Sequence, residues 1–401
     1  MNLCNEDELL LCVARSGMDA QVAERFLKLL HQEVDWTSLI SKAEKHRLTP
    51  LLYWHLKEFS NECPKDIFER LKHGFNENAK NSLLLTAETI RLVRLFKGNG
   101  IVAIPYKGTA LAQQLYGNTA LRSCVDLDLL ICRKDLKQAR KVLLNAGYKQ
   151  EIEINDDQLG IYAWSECDQV FIHCNTQIYL ELHWAITPPY FGFRLETEDL
   201  IEKIESIELN NSEVPVLCTE DLLLVLCVNA TKEMWEKLEW IGGVAELIKK
   251  NQGLSWDETI EQAKELKALR MLFLGTCLAE KLFKVELPQN ISLLIKQDHA
   301  IETLVQQVYE RLFGEREENL SLTKLTFFRL KARERFSTRA SYCFLRLFTP
   351  AHPDLKFIKL PRSFSWFYYF IRPLRLLVQP VSAKFQSKFL QRQMVRASRG
   401  R

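Results

Sequence analysis

The stretch Ile101–Ile131, IVAIPYKGTALAQQLYGNTALRSCVDLDLLI, decides the fold. It reads as a buried strand over 101–106, a sharp turn at Lys107-Gly108-Thr109, a short helix over 109–116, a loop, and a second strand over 125–131. That second strand carries Asp126 and Asp128. Residues i and i+2 of a strand share a face, so the two carboxylates are expected roughly 6–7 Å apart along the backbone. An apolar strand gains nothing from two like charges: at 4 Å their repulsion is about 4 kcal/mol at an effective dielectric of 20. A divalent cation between them removes that cost. A Gly turn opening a helix is where a phosphate sits, because the first amides and the helix dipole favour an anion. Metal-assisted phosphoryl or nucleotidyl transfer is the chemistry the two features predict together.

Outward from this stretch, the pattern changes on both sides. Upstream, apolar residues at three- and four-residue spacing (Leu9, Val13, Val22, Phe26, Leu29) predict helices, as does Ser82 to Lys97, closed by Gly98-Asn99-Gly100. Downstream, an amphipathic helix from Asp135 to Asn145, an edge strand over Tyr148–Ile154, a polar loop over Asn155–Gly160 and a hairpin of Gln169–Cys174 with Gln177–Trp184 are expected. After Pro215 the chain turns helical again, starting at Thr219 with Glu220 and Asp221 and breaking at Gly242-Gly243. The fold class expected is α+β: a small mixed β-sheet nucleotidyltransferase core flanked by N-terminal and C-terminal helical regions. The divisions expected are 1–80, an N-terminal helical region; 81–215, the core; 216–320, a helical lobe; and 321–401, a basic aromatic helical tail.

Whole-chain composition supports a folded protein with a large core. The near-neutral total of 54 Lys and Arg against 51 Asp and Glu hides an asymmetry. Residues 321–401 hold 18 of the cations and 2 of the anions. A basic end on an acidic body suggests an anionic partner, nucleic acid or a membrane surface. The eleven cysteines form no C-x-x-C pair, and Glu6, Asp7 and Glu8 interrupt any N-terminal signal pattern. Reduced thiols in a cytoplasmic protein, peripheral to a membrane if the tail binds one, are therefore expected. No apolar run approaches the roughly 18–20 residues of a spanning helix.

A metal held by strand aspartates usually needs a third carboxylate from a neighbouring strand. Glu181, in Ile178-Tyr179-Leu180-Glu181-Leu182, has apolar neighbours on both sides and is the candidate, as ligand or as base. The alternative for the aspartates alone is a solvated strand end or helix cap. Cys167, His173, Cys174 and His183 match no structural zinc spacing. No G-x-S-x-G, P-loop or dinucleotide fingerprint is present.

These residues carry a family resemblance. Lys107-Gly108, Leu115-Tyr116, Arg122, Asp126-Leu127-Asp128-Leu129 and Glu181-Leu182-His183-Trp184 occur in the order of the signature of the uncharacterised nucleotidyltransferase family, within the DNA polymerase beta-like superfamily. LTPLLYWHL near the start and FYYFIRPLRLL near the end resemble it more weakly. The resemblance implies that Asp126, Asp128 and Glu181 hold Mg²⁺, with Mn²⁺ as second candidate, and that the backbone at Gly108 and Thr109 holds the triphosphate of an NTP such as ATP. It makes Lys107 and Arg122 phosphate cations, or else members of structural ion pairs. His183, two residues after Glu181, would contact substrate or orient Glu181. One segment departs: where the family often carries two histidines and an aspartate, this chain has Asn229, Glu233 and Gly243, while Lys232 and Trp235 match.

Two functions follow. The first is a Mg²⁺-dependent nucleotidyltransferase moving a nucleoside monophosphate from an NTP to an acceptor (small molecule, peptide or nucleic acid) with release of pyrophosphate. The second is a non-catalytic nucleotide-binding or interaction protein whose basic tail contacts nucleic acid or a membrane surface. For that tail, Arg and Lys among Phe, Tyr and Trp suit either stacking on single strands or resting on lipid, unless the aromatics pack on the acidic body.

Overall fold

The computed structural model describes residues 3–314, 321–358, 360 and 362–378. The end of the basic tail, 379–401, lies outside the described residues. The α+β class expected from the sequence holds. Five short strands make one mixed sheet: β1 (Ile104–Pro105), β2 (Leu127–Leu130), β3 (Tyr148–Gln150), β4 (Asp168–His173) and β5 (Tyr179–His183), in the order β1-β2-β5-β4-β3. β2 and β5 run parallel, and every other pairing is antiparallel. A separate hairpin joins β6 (Glu205–Leu209) to β7 (Ser212–Val216).

One side of the β2–β5 ladder is a packed core. Leu127, Leu129, Leu180 and Leu182 are all fully buried there with Leu92, Phe96 and Trp184. Leu92 and Phe96 come from the long helix Lys65–Gly98, which starts well before the expected Ser82. The same helix secures the loop that leads into β2. Asn78 Nδ2 donates to Ala120 O at 2.7 Å, and Asn81 Nδ2 donates to Cys124 O at 2.7 Å. Towards the other side, Ile104, Leu111, Leu115 and Leu130 join a larger cluster built from the N-terminal helices and the lobe helices Thr219–Lys232, Leu238–Lys250 and Leu269–Phe283. The helix Gly108–Tyr116 is thereby clamped between sheet and lobe.

Several local expectations change. The polar segment 155–160 is not a loop. Asn155 accepts from Gln158 N and caps a helix, Asp156–Ser165, whose acidic first turn suits its N-terminus. The strand from Tyr148 is correspondingly short. The chain does turn helical after Pro215, from Thr219, but Pro215 itself lies within β7, in an unexpected hairpin that turns on Asn210 and Asn211, both at positive φ. The break in the lobe falls at Glu233–Lys237, between two helices, with Met234 and Trp235 at positive φ. Gly242 and Gly243 lie inside the helix Leu238–Lys250 instead. The reason for Gly242 is space: a Cβ there would stand 2.6 Å from Ala14 O. All eleven cysteines are free thiols. Among the described residues no helix is long and apolar enough to cross a membrane.

Candidate active site

The parallel register of β2 and β5 places Asp128 beside Glu181, and Leu130 beside His183. By the two-residue alternation of strands, Glu181 and His183 share the face on which Asp128 lies. Nε2 of His183 donates to Asp128 Oδ1 at 3.1 Å and lies 3.5 Å from Glu181 Oε2. Lys107 Nζ donates to the same Asp128 oxygen at 3.1 Å and stands 4.8 Å from the centre of the Tyr106 ring. Tyr106 in turn packs edge-on against the His183 ring. Two carboxylates are thus held side by side by two cationic groups in a largely buried pocket.

The electrostatics follow from this packing. Burial alone would raise the Asp128 carboxyl. Lys107 and the His183 hydrogen bond outweigh it and hold the group well below the usual carboxylate range. For Glu181, burial and Asp128 push upward, yet His183 and Lys107 leave it below its ordinary value. Burial works against the charged His183, but its bonds to Asp128 and Glu181 prevail and raise it to about 9. Lys107, similarly opposed by burial, is raised well above an ordinary lysine by Asp128, Tyr106 and Glu181.

The turn before this cluster has the form an anion needs. Lys107 is extended and caps the helix Gly108–Tyr116 without a side-chain bond. Gly108 sits at φ +60°, where its missing Cβ would be 3.6 Å from Asp126 O. The first amides of a helix have no partner within it. Beside them the buried Thr109 Oγ1 has no hydrogen-bond partner among the described residues.

Asp126 lies on a bend immediately before β2, so its side chain is not part of the strand. One oxygen each from Asp128 and Glu181 and one nitrogen of His183 come within 4.8 Å of one another. A second such set shares His183 and adds Cys167 and Asp168. Among the described residues Asp126 belongs to neither set. The oxygen-rich donors of the first set fit a divalent cation. Arg122 is engaged elsewhere: its Nε pairs with Glu239 Oε1 at 2.9 Å in a buried contact, and its Nη1 donates to Gly108 O at 3.4 Å. Sequence reasoning missed Glu239 and Asp168. A charge within the apolar run of the helix Leu238–Lys250, and one at the head of an apolar strand, were the available signals.

Cation-held carboxylates next to a Gly turn at a helix start form the arrangement that the sequence motif anticipates. The family model described as uncharacterised nucleotidyltransferase matches residues 32–284, well over half of the chain. The chain belongs to this family. The match takes in the long helix, the whole sheet and the lobe as far as the end of the helix Leu269–Phe283. Everything beyond residue 284, including the basic tail, lies outside it. No curated protein matches the chain.

Proposed function

We propose that this family member is a Mg²⁺-dependent nucleotidyltransferase that transfers a nucleoside monophosphate from an NTP to an acceptor, releasing pyrophosphate. The observation that carries the reading is the pairing of Asp128 with Glu181 in one register, next to the Gly108 turn. Asp128 and Glu181, with Asp126 two residues upstream, would hold Mg²⁺ or Mn²⁺, whose contribution is to offset charge on the phosphates. The amides at Gly108 and Thr109 bind the triphosphate, and the free Thr109 hydroxyl adds a donor. Lys107 supplies a cation at the same place. Arg122 shapes this loop from behind, through Gly108 O and Glu239. His183 aligns both carboxylates through one nitrogen.

The test is incubation of the purified protein with Mg²⁺, α-labelled NTPs and a panel of acceptors. The wild type is expected to label an acceptor, and an Asp126→Asn/Asp128→Asn variant to lose at least about 100-fold, as removal of one preorganised electrostatic group does. Equal labelling by the two proteins sinks the reading.

A second reading rests on the departing segment. Gly243 packs close to Leu115, with 3.2 Å available to a Cβ, and Glu233 stands 3.9 Å from Arg329 of the tail. Gly243 is thus taken up in packing against Leu115, and Glu233 faces the tail. A protein that binds nucleotide without turning it over would show metal-dependent NTP binding by calorimetry and no labelling across the acceptor panel.

A further inference from the structure

The helix Tyr368–Val378 has its polarity reversed. Tyr368 and Arg372 face the protein, 1% and 5% exposed. Tyr368 Oη donates to Ile358 O at 2.7 Å and accepts from Leu360 N at 3.0 Å. Arg372 Nη1 donates to Asp354 Oδ2 at 2.9 Å, and Arg375 Nε donates to Asp354 Oδ1. The opposite face carries Phe370, Leu374 and Leu377, with Trp366 one turn before them. Their exposures are 54% for Trp366 and 59%, 62% and 81% for the other three. Spacings of four, four and three residues keep them on one stripe. A helix covering a soluble protein turns its arginines out and its Phe and Leu in, and this one does the reverse. The helix Phe336–Phe348 packs against it and adds exposed Phe336, Phe344 and Leu347. Exposed apolar side chains gathered in this way mark an interaction site.

We infer that this face rests on a membrane surface bearing anionic lipid. Charge complementarity selects that occupant. The tail from Ser321 carries 18 Lys and Arg against 2 Asp and Glu, and the six charged residues after Val378 are all cations. Basic segments beside an apolar helical stripe are attracted to anionic headgroups, with Trp and Phe seated at the interface. The contact is peripheral, since no described helix is able to span a bilayer. A single-stranded nucleic acid fits the face less well. Stacking sites interleave rings with cations, whereas Arg372 and Arg375 are turned away from the rings and held by Asp354. The stripe lies beyond residue 284, where the family match ends.

Flotation of the full chain with vesicles tests this, using phosphatidylcholine alone and phosphatidylcholine mixed with phosphatidylglycerol. The expected result is recovery with the mixed vesicles, falling as salt is added, and little with phosphatidylcholine alone. A Trp366→Ser/Phe370→Ser/Leu374→Ser variant is expected to lose binding by at least about tenfold, because each side chain removes apolar area from the lipid contact. Its unfolding midpoint should not fall, as these side chains are exposed; if it does, the single Leu377→Ser variant replaces it. Absence of flotation, or equal flotation of wild type and variant, overturns the inference. So does tighter binding of single-stranded RNA that the same variant abolishes, or a dimer seen by light scattering that the variant dissociates without any lipid effect.

Discussion

Two buried aspartates in this molecule, Asp128 and Asp354, are bound in similar ways beside second carboxylates that behave differently. Each accepts from two cationic side chains: Asp128 from Lys107 and His183, Asp354 from Arg372 and Arg375. Each also feels a second carboxylate, Glu181 in the first case and Glu166 in the second. Those second carboxylates settle differently. Glu166 is pushed up to about 7, chiefly by burial, with Asp168 and Asp354 adding to the rise against a backbone bond from His352 and the charge of Arg372. Burial thus favours a proton on Glu166 near neutral pH. Glu181 is equally hemmed in but stays below its ordinary value, so Asp128 and Glu181 both remain charged. Two charged carboxylates held together are what the proposed metal site requires.

The contrast can be broken most directly by neutralising each aspartate. Asp354→Asn leaves two largely buried arginines without their partner and is expected to lower the unfolding free energy by about 3–5 kcal/mol in urea titrations. Asp128→Asn relieves repulsion with Glu181 and leaves Lys107 and His183 a remaining carboxylate. Its cost should be smaller than that of Asp354→Asn, because Glu181 still pairs with both cations, while activity is lost. Comparable destabilisation by the two would erase the distinction.

Glu239→Gln probes how far the site depends on the lobe. It strands the buried Arg122 beside Gly108, at an expected cost of about 3 kcal/mol. NTP binding should weaken in the same variant, because Arg122 bonds the Gly108 carbonyl, at the turn proposed to hold the triphosphate. Stability loss with unchanged NTP affinity would show the ion pair to be purely structural.

Acid titration sharpens the comparison from the Glu166 side. Between about pH 4.5 and 7 the folded protein keeps a proton on Glu166 that the unfolded chain releases. Its contribution to stability is full below about pH 4.5 and is lost as pH rises towards 7, by roughly 3 kcal/mol. Glu166→Gln should remove that slope from chemical denaturation measured across the range.

The smallest effects separate packed from open glycines. Gly242→Ala drives a Cβ into the Ala14 carbonyl and should cost about 1–2 kcal/mol. Gly74→Ala, in the long helix with nothing within 4 Å, should stabilise by about 0.5–1 kcal/mol. Thermal melts of the pair give opposite signs.

Much of this was readable from the chain. The Lys-Gly turn, the strand carrying Asp128 and the strand carrying Glu181 each express a local rule: glycine at positive φ, alternation by two, a charge that an apolar strand does not otherwise tolerate. Helix ends were readable where the signal was explicit, as at Gly98-Asn99-Gly100, where the long helix stops. The Asn210-Asn211 turn was equally local and could have been found from its two flanking alternating runs. The helix after Asn155 was harder, because a cap with two following aspartates looks the same as a polar loop until Tyr162 and Leu159 find a core.

What the sequence determined by itself was the α+β class, the family, and the residue types gathered at the site, because these depend on short-range patterns. Only the tertiary structure decided which of those residues meet. The parallel register set Asp128 against Glu181, since strand pairing is fixed by the leucines of both strands packing on a helix distant in sequence. The bend before β2 separated Asp126 from the strand. Arg122 was given to Glu239, more than a hundred residues away, because a buried guanidinium takes the nearest desolvated carboxylate. The reversed helix at the C-terminal end is the clearest case. Its sequence specifies an amphipathic stripe, but only Asp354, buried beneath it, decides that the arginines face inward and the aromatic rings outward.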